Sequence, residues 1–195
     1  MAPAYKLTYF NITALGEPIR FILSYGGLEF EDNRIQFENW PGIKSSMPFG
    51  QLPILEHNGK VSNQSVAICR YLAKQVKLVG KDDWEDLEID AINLPHTIMS
   101  KMKKIKESKA IPLFSEIIPP YLEKLDAVAK KNNGYLAVGR LTWADLFFVG
   151  ILDYLNTMGK RDLLADYPNL QTVKKNVLEI PNIKAWVEKH PKDNL

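Results

Sequence analysis

Two polar residues stand where they could bind an anion. Tyr9 ends a segment rich in aromatic and β-branched residues and precedes a helix start. Its hydroxyl could donate to a ligand, because ligands of open α/β sheets bind beyond the carboxyl ends of strands. Ser65 begins a helical pattern, and the N-terminal amides of a helix bind anions. From the residues alone, periodicity favours a packing role for Tyr9, and Ser65 could equally be an ordinary N-cap.

Other reactive residue types show no catalytic arrangement. Cys69 lies in a helical apolar stripe without a C-x-x-C partner, which argues against thioredoxin-type redox chemistry. His57, His96 and His190 are scattered, with neither the spacing of metal ligands nor a nucleophile beside them. We therefore expect surface histidines and no metal site.

Composition excludes several function classes. The 195 residues carry a net charge of only +2, which gives no argument for binding nucleic acid or a membrane surface. We find neither a secretory signal nor an apolar run of roughly 18 residues that could span a membrane. The single cysteine fits a reducing compartment. A cytoplasmic protein is expected.

The elements that would position Tyr9 alternate between strand and helix. Residues 5–10 predict a strand. Pro18 opens a helix in its first turn, where the missing N–H costs nothing, and Gly26 with Gly27 ends it. Residues 32–37 then predict a second strand.

A hairpin precedes the helix that starts at Ser65. Asn58 and Gly59 supply the two positive-φ residues of a type I′ turn between two short strands. Before this hairpin, residues 40–50 are turn-rich and predict little regular structure. Strand, helix, strand, hairpin, helix is the order of a thioredoxin-like α/β module, which we place at residues 1–77.

The remainder predicts helices throughout. After a linker at 78–82, we expect an all-α helical bundle over 83–195. An apolar stripe at three- and four-residue spacing starts with Trp84 and Leu87 and runs to Ile105.

The clearest helix start in the chain is the segment around Thr142 and Asp145. Thr142 can cap the amide of Asp145 while the Asp145 carboxylate reaches back, as in a capping box. The helix behind it, residues 146–158, is apolar nearly all round and should be the buried centre of the bundle. Asp145 is therefore assigned to structure and not to catalysis.

Several ordered motifs together resemble the cytosolic glutathione S-transferases. Within that family the motif sequences are most similar to the sigma class, especially its insect members, to which haematopoietic prostaglandin D synthase is related. The resemblance covers almost the whole chain and fails only around residues 93–115. It is carried by YKLTYF at 5–10, GEPIRF at 16–21, WP at 40–41, SMPFGQLPIL at 46–55, QS at 64–65 and LTWAD at 141–145.

The resemblance implies roles for individual residues. Tyr9 would hold the glutathione thiol as a thiolate and act as the catalytic residue. A free thiol has a pKa near 8.5, so a donor aimed at the sulfur favours the anion. Pro53 corresponds to a cis-proline. The glutathione-binding residues implied are Tyr9, Phe10, Trp40, Lys44, Gln51, Leu52, Pro53, Gln64 and Ser65.

The pocket for the second substrate is expected to be apolar and altered. Phe10, Leu15, Met99 and Met102 are its candidate lining, although the methionines could equally belong to the core. Leu15 replaces an arginine that many sigma relatives place near the thiol. Residues 89–98 lack aspartates with which the family contacts the partner subunit's glutathione or a divalent cation. The resemblance therefore implies no metal activation.

The implied function is conjugation of glutathione, as co-substrate, to small hydrophobic electrophiles, including lipid-peroxidation aldehydes. A homodimer is implied by the resemblance alone. Two alternatives stay open: a glutathione-dependent prostaglandin D isomerase using the same Tyr9, and a non-catalytic glutathione-binding protein like the lens S-crystallins. A weaker hold on glutathione than in relatives with the arginine and the aspartate is also expected.

Overall fold

The computed structural model describes residues 3–92 and 113–189. Its first part combines strands with helices. The strands are β1 (Tyr5–Phe10), β2 (Phe30–Ile35), β3 (Ile54–His57) and β4 (Lys60–Asn63). The helices are α1 (Glu17–Tyr25), α2 (Trp40–Ile43) and α3 (Ser65–Gln75). The predicted order of elements is confirmed.

The strands form one mixed sheet in the order β2-β1-β3-β4. β1 pairs parallel with β2 and antiparallel with β3, and β3 with β4 is an antiparallel hairpin. Asn58 and Gly59 both have positive φ, 49° and 73°, as the type I′ turn requires. β1 is thus central, and it carries Tyr9 towards the end of the sheet where the chain leaves for α1.

After β4 and α3, every regular element in the described residues is helical. The helices are α4 (Asp83–Ala91), α5 (Ile118–Lys131), α6 (Trp143–Gly159), α7 (Pro168–Leu178) and α8 (Pro181–Lys189). A π-helical turn, Leu113–Ile117, leads into α5. No helix within residues 3–92 and 113–189 is long and apolar enough to cross a membrane. The architecture confirms the predicted thioredoxin-like part followed by a helical part.

Helix α6 is the centre of the packing, as its apolar sequence predicts. Its first ten residues, Trp143 to Leu152, are all buried. It crosses α1 so closely that a Cβ on Gly150 would lie 2.9 Å from the backbone N and Cα of Pro18. Glycine is therefore required at this crossing, and α1, the helix that follows Tyr9, is held against α6.

The start of α6 is the predicted capping box. Thr142 is the N-cap, and its reciprocal bonds with Asp145 are both present. The carboxylate of Asp145 accepts from the Thr142 amide at 2.7 Å, the Thr142 hydroxyl at 3.0 Å and the Leu136 amide at 2.7 Å. Burial raises the pKa of Asp145 to about 6, against the opposing effect of these hydrogen bonds. The structural assignment of Asp145 agrees with this geometry.

Two local expectations were wrong in the first part of the chain. β2 runs over Phe30–Ile35 and so starts and ends two residues earlier than predicted. The turn-rich stretch is also more regular than predicted. Short 3₁₀ turns at Phe37–Asn39, Lys44–Ser46 and Pro48–Gly50 flank α2. In these turns backbone N–H groups donate to the carbonyl three residues earlier.

The apolar stripe from Trp84 is only partly a buried face. Trp84 and Leu87 are 68% and 55% exposed, whereas Ile89 is fully buried. The first turn of α4 instead presents acidic residues, with Asp82 capping the amides of Trp84 and Glu85. The rest of the stripe, up to Ile105, lies outside the described residues.

Candidate active site

Tyr9 sits at the end of β1 with its ring packed inside the protein. Its side chain is 5% exposed. The ring lies against Gly16, where an added Cβ would come within 2.5 Å of the Tyr9 Cδ1 atom. The Tyr9 hydroxyl oxygen accepts a hydrogen bond from the Leu15 amide at 3.3 Å. Leu15 thus contacts Tyr9 through its backbone.

The segment after Tyr9 turns sharply into a 3₁₀ turn, Ala14–Gly16. The Thr13 carbonyl accepts from the amides of Gly16 and Glu17, both at 3.0 Å. Ala14 adopts a positive φ of 32°. This tight path brings the Leu15 amide back to the hydroxyl oxygen of Tyr9.

An aromatic group continues from Tyr9 along one side. The rings of Tyr9 and Phe10 meet edge to face at 5.6 Å between centroids. Phe10 in turn stacks on Phe37 at 4.7 Å and meets the edge of Trp40 at 5.3 Å. Trp40 is half-buried and is the first residue of α2. The predicted residues Tyr9, Phe10 and Trp40 are therefore brought together.

The segment before β3 and the start of α3 supply polar groups. The side-chain amide of Gln64 donates from Nε2 to the side-chain oxygen of Gln51 at 3.1 Å. Ser65 is buried at the first position of α3. Gln64, with φ 70°, is the N-cap residue, so the alternative of Ser65 as N-cap was wrong. The peptide bond between Leu52 and Pro53 is cis, as the resemblance implied.

Lys44 lies beside this segment. Gly50 has φ 57°, and a Cβ there would lie 3.5 Å from the Cγ and Cε atoms of Lys44. The aliphatic stem of Lys44 thus covers Gly50, and the side chain is exposed to solvent. A cation on a flexible stem is suited to an anionic group at the rim of the site.

A small apolar cluster surrounds Tyr9. It consists of buried Tyr9, Ile12 and Ala14, against which Phe10, Leu15, Leu52 and Tyr154 pack. Of the four residues predicted for the second-substrate pocket, Phe10 and Leu15 are in this cluster. Met99 and Met102 lie outside the described residues.

Tyr154 is a member of this cluster that the sequence did not reveal. It comes from α6, far along the chain, and its partial burial raises the pKa of its phenol. Tyr154 lies beside Asp153 and Asn156 on α6, so nothing in the local sequence indicated this contact. Such a residue could be recognised only once the packing of α6 near β1 was known.

The cysteine and histidine side chains were also considered as metal ligands or nucleophiles. Over residues 3–92 and 113–189, no group of three or more His, Cys, Asp or Glu side chains could hold a metal ion. Cys69 is fully buried, and burial raises the pKa of its thiol well above the usual value. A buried neutral thiol is a poor nucleophile. His57 stacks on Tyr5 with 4.0 Å between ring centroids, and His96 and His190 lie outside the described residues.

Known family models match both parts of the chain. Residues 5–74 match the Glutathione S-transferase, N-terminal domain, and residues 93–190 match the Glutathione S-transferase, C-terminal domain. This chain belongs to the glutathione S-transferase family. The prediction of a glutathione transferase, and of glutathione as its co-substrate, is thereby confirmed.

Similar proteins agree with this assignment over nearly their whole lengths. A glutathione S-transferase of Anopheles gambiae is 50% identical over 198 residues, covering 97% of this chain and 98% of that protein. Hematopoietic prostaglandin D synthase of Homo sapiens is 37% identical over 200 residues, covering 99% and 100%. The structure of prostaglandin synthase D of Nilaparvata lugens superposes with a TM-score of 0.91 at 43% identity, covering 97% and 99%.

Proposed function

We propose that this glutathione S-transferase is of the sigma class and uses the Tyr9 hydroxyl to hold the glutathione sulfur as a thiolate. The thiolate would then attack small hydrophobic electrophiles. Such a donor stabilises the anion more than the neutral thiol, so the pKa of the bound thiol falls and more of the nucleophile is present at neutral pH. Tyr9 would be the catalytic residue.

The hydrogen bond from the Leu15 amide to the Tyr9 oxygen is the observation that carries this proposal. A phenol oxygen that accepts an N–H bond polarises its own O–H, which strengthens that group as a donor. Burial of the Tyr9 side chain lowers the surrounding dielectric and strengthens the effect.

Residues at the start of α3 and before β3 are proposed to bind the rest of glutathione. Gln64 and Ser65, at the start of α3, would bind the γ-glutamyl carboxylate, as helix N-termini favour anions. Leu52 would pair its main chain with the cysteinyl amide beside Pro53.

The glycyl end of glutathione would bind nearer the rim. Trp40, Lys44 and Gln51 are proposed to hold the glycyl carboxylate. Gln51 is linked by its hydrogen bond to Gln64, and the exposed Lys44 supplies the positive charge. Phe10, beside Tyr9, would border the thiol.

The second-substrate pocket would be built on the apolar cluster around Tyr9. Phe10 and Leu15 are proposed to line it, and Tyr154 stands beside them with its hydroxyl. Met99 and Met102 remain proposed members of the same wall. An apolar lining suits hydrophobic electrophiles, and lipid-peroxidation aldehydes are the proposed physiological class.

Three further features are proposed for the enzyme. The domain limits would be 1–77 and 83–195, joined by residues 78–82, between the end of α3 and the start of α4. A homodimer is proposed from the family resemblance. A cytoplasmic location is proposed because the single cysteine, Cys69, is a buried free thiol.

The test is conjugation of glutathione to a chlorodinitrobenzene-type electrophile by the wild type and Tyr9→Phe. A hydrogen bond to a charged group contributes about 1.5–3 kcal/mol, so kcat/KM should fall about 10- to 150-fold. Tyr121→Phe, which changes an exposed phenol on α5, is the matched control and should keep full activity. Equal activity of wild type and Tyr9→Phe would overturn the role of Tyr9. Glutathione binding without conjugation by either protein would favour the S-crystallin-like alternative.

A second candidate activity is isomerisation of a prostaglandin endoperoxide. The structural similarity to prostaglandin synthase D of Nilaparvata lugens favours keeping it. Incubating the enzyme with the endoperoxide and glutathione should give prostaglandin D if this activity is present. Turnover no faster than that of the Tyr9→Phe variant would remove the candidate.

A further inference from the structure

Arg20 is a fully buried cation on α1, close to the loop that follows Tyr9. Its side chain has 0% exposure. The Nη1 group donates to the Ile12 carbonyl at 2.9 Å and to the Glu17 carboxylate at 3.0 Å. The Nε group donates to the Asp32 carboxylate on β2 at 3.0 Å. A cation is costly to bury unless it is paired, and Arg20 meets this cost with two carboxylate partners and a carbonyl.

The guanidinium also faces the ring of Tyr9. Its Cζ atom lies 6.0 Å from the Tyr9 ring centroid. Gly16 permits this approach, since a Cβ there would lie 2.5 Å from the Tyr9 ring and 3.1 Å from Arg20 Nη1. The Nη2 group of Arg20 is buried without a hydrogen-bond partner. A guanidinium near an aromatic face attracts its π electrons, and this makes a phenol O–H a stronger donor.

Arg20 also shapes the loop that follows Tyr9. It binds the Ile12 carbonyl, while Arg34 donates from Nη1 to the Asn11 side-chain oxygen at 3.3 Å. Asn11 and Ile12, which follow β1, are therefore both tied to one charge cluster, formed by Glu17, Arg20, Asp32 and Arg34. The loop then returns the Leu15 amide to the Tyr9 oxygen.

The charges around Arg20 balance. Glu17 and Asp32 face Arg20 and Arg34, because Asp32 also pairs with Arg34 at 2.7 Å. The second oxygen of Glu17 accepts from the indole N–H of Trp186 on α8 at 2.6 Å. The Trp186 bond draws part of the negative charge of Glu17 away from Arg20. From α6, Tyr154 is the titratable group that packs beside Tyr9.

We propose that Arg20 is a positioning residue for conjugation: its buried guanidinium orients the Tyr9 ring and loop and strengthens the Tyr9 hydroxyl as a donor to the thiolate. This rests on the role of Tyr9 in the proposed function. Arg20 touches neither glutathione nor electrophile in this scheme and acts only through Tyr9. Its loss should therefore alter the thiol and the chemical step more than the affinity for glutathione.

The first test measures the pKa of the bound glutathione thiol from the ultraviolet absorbance of its thiolate. Arg20→Gln should raise that pKa by about 0.5 to 1 and lower kcat several-fold, with a smaller change in KM for glutathione. Arg20→Lys keeps the cation and should restore part of the difference. If Arg20→Gln does not fold, the Glu17→Gln/Arg20→Gln double variant preserves the charge balance and replaces it.

Arg140 provides the matched control. It is a partly buried arginine that pairs with Glu85 at 2.6 Å and also has a buried nitrogen without a partner, in the helical part of the chain. Arg140→Gln should lower the melting temperature and leave the thiol pKa unchanged. An unchanged thiol pKa in folded Arg20→Gln would overturn the inference and reduce Arg20 to a structural residue.

A double-mutant cycle separates this inference from the role of Tyr9 itself. If Arg20 acts through Tyr9, Arg20→Gln should have little further effect on the thiol pKa in a Tyr9→Phe background. Additive effects would overturn the proposed route through Tyr9. An unaltered thiol pKa in Tyr9→Phe alone would instead overturn the proposed function, so the two failures are distinguishable.

Discussion

Asp145 and Arg20 are both buried charged side chains, and the protein accommodates them in different ways. Asp145, at the start of α6, is surrounded by neutral donors from Thr142 and Leu136. Arg20, on α1, is paired with the carboxylates of Glu17 and Asp32. One group is a lone charge in a cap, and the other belongs to a balanced cluster.

The difference shows what hydrogen bonds alone can compensate. Three short bonds do not fully replace water for Asp145, because burial still raises the pKa of its carboxyl to about 6. Arg20 instead meets formal charges of opposite sign, which offset desolvation more completely when the geometry is good. The contribution of the cap to stability therefore depends on pH, whereas in the charge cluster each arginine has a carboxylate partner.

The largest predicted effect on stability comes from removing the capping carboxylate of Asp145. Asp145→Ala leaves the amides of Leu136 and Thr142 buried without an acceptor, so the free energy of unfolding should fall by about 3–4 kcal/mol at pH 7. Urea unfolding measures it. Asp153→Ala, on an exposed position of the same helix, is the control and should change it little. A loss below about 1 kcal/mol would show that the cap contributes little to the free energy of unfolding.

The next prediction concerns the pH dependence of the cap. The folded-state pKa of Asp145, about 6, lies above its ordinary value of 3.8, so the folded protein holds this proton more tightly. Its contribution to stability is full below about pH 4 and is lost as pH rises through about 6, by on the order of 3 kcal/mol. The stability of the wild type relative to Asp145→Asn should therefore decline over this range. A difference independent of pH would contradict the prediction.

A smaller effect is expected from removing the Trp186 hydrogen bond to Glu17, a member of the charge cluster. Trp186→Phe removes the indole donor to Glu17 and keeps an aromatic ring against Phe30, so stability should fall by about 1–3 kcal/mol. Trp84→Phe is the matched control, because Trp84 makes the same type of bond to Glu88 on the exposed face of α4. It should cost much less. Equal losses in the two variants would remove the distinction between buried and exposed bonds.

The smallest predicted effect is at an exposed ion pair. Arg70 and Asp90 lie 3.0 Å apart with side chains 51% and 30% exposed. Solvent screens such a pair, so Arg70→Gln should change the free energy of unfolding by about 0.5 kcal/mol or less. Raising the salt concentration should reduce even this difference. A loss as large as that of Trp186→Phe would contradict the ranking by burial.

Much of the fold could be predicted because its signals are local. Asn58 and Gly59 specify their own turn, and Thr142 with Asp145 specifies a helix start within four residues. The exposure of Trp84 could not be predicted, since an apolar stripe does not say which neighbouring element covers it. Where α4 presents that face is decided by the packing of other helices.

The candidate site likewise contains residues that local signals indicate and a residue that only the packing brings in. Tyr9, Gln64 and Ser65 could be proposed from motif and position, and they lie near the end of β1 and at the start of α3. Tyr154 could not, because it reaches the Tyr9 cluster only through the packing of α6.

The sequence by itself determined the order of elements and the turn and cap residues. These depend on backbone preferences and on hydrogen bonds between residues close in the chain. Only the tertiary structure decided that Arg20 lies beneath the Tyr9 ring, paired with Asp32 from β2 and linked through Glu17 to Trp186 on α8. Contacts of this kind join residues up to 169 positions apart, and they exist only after the sheet and helices have packed.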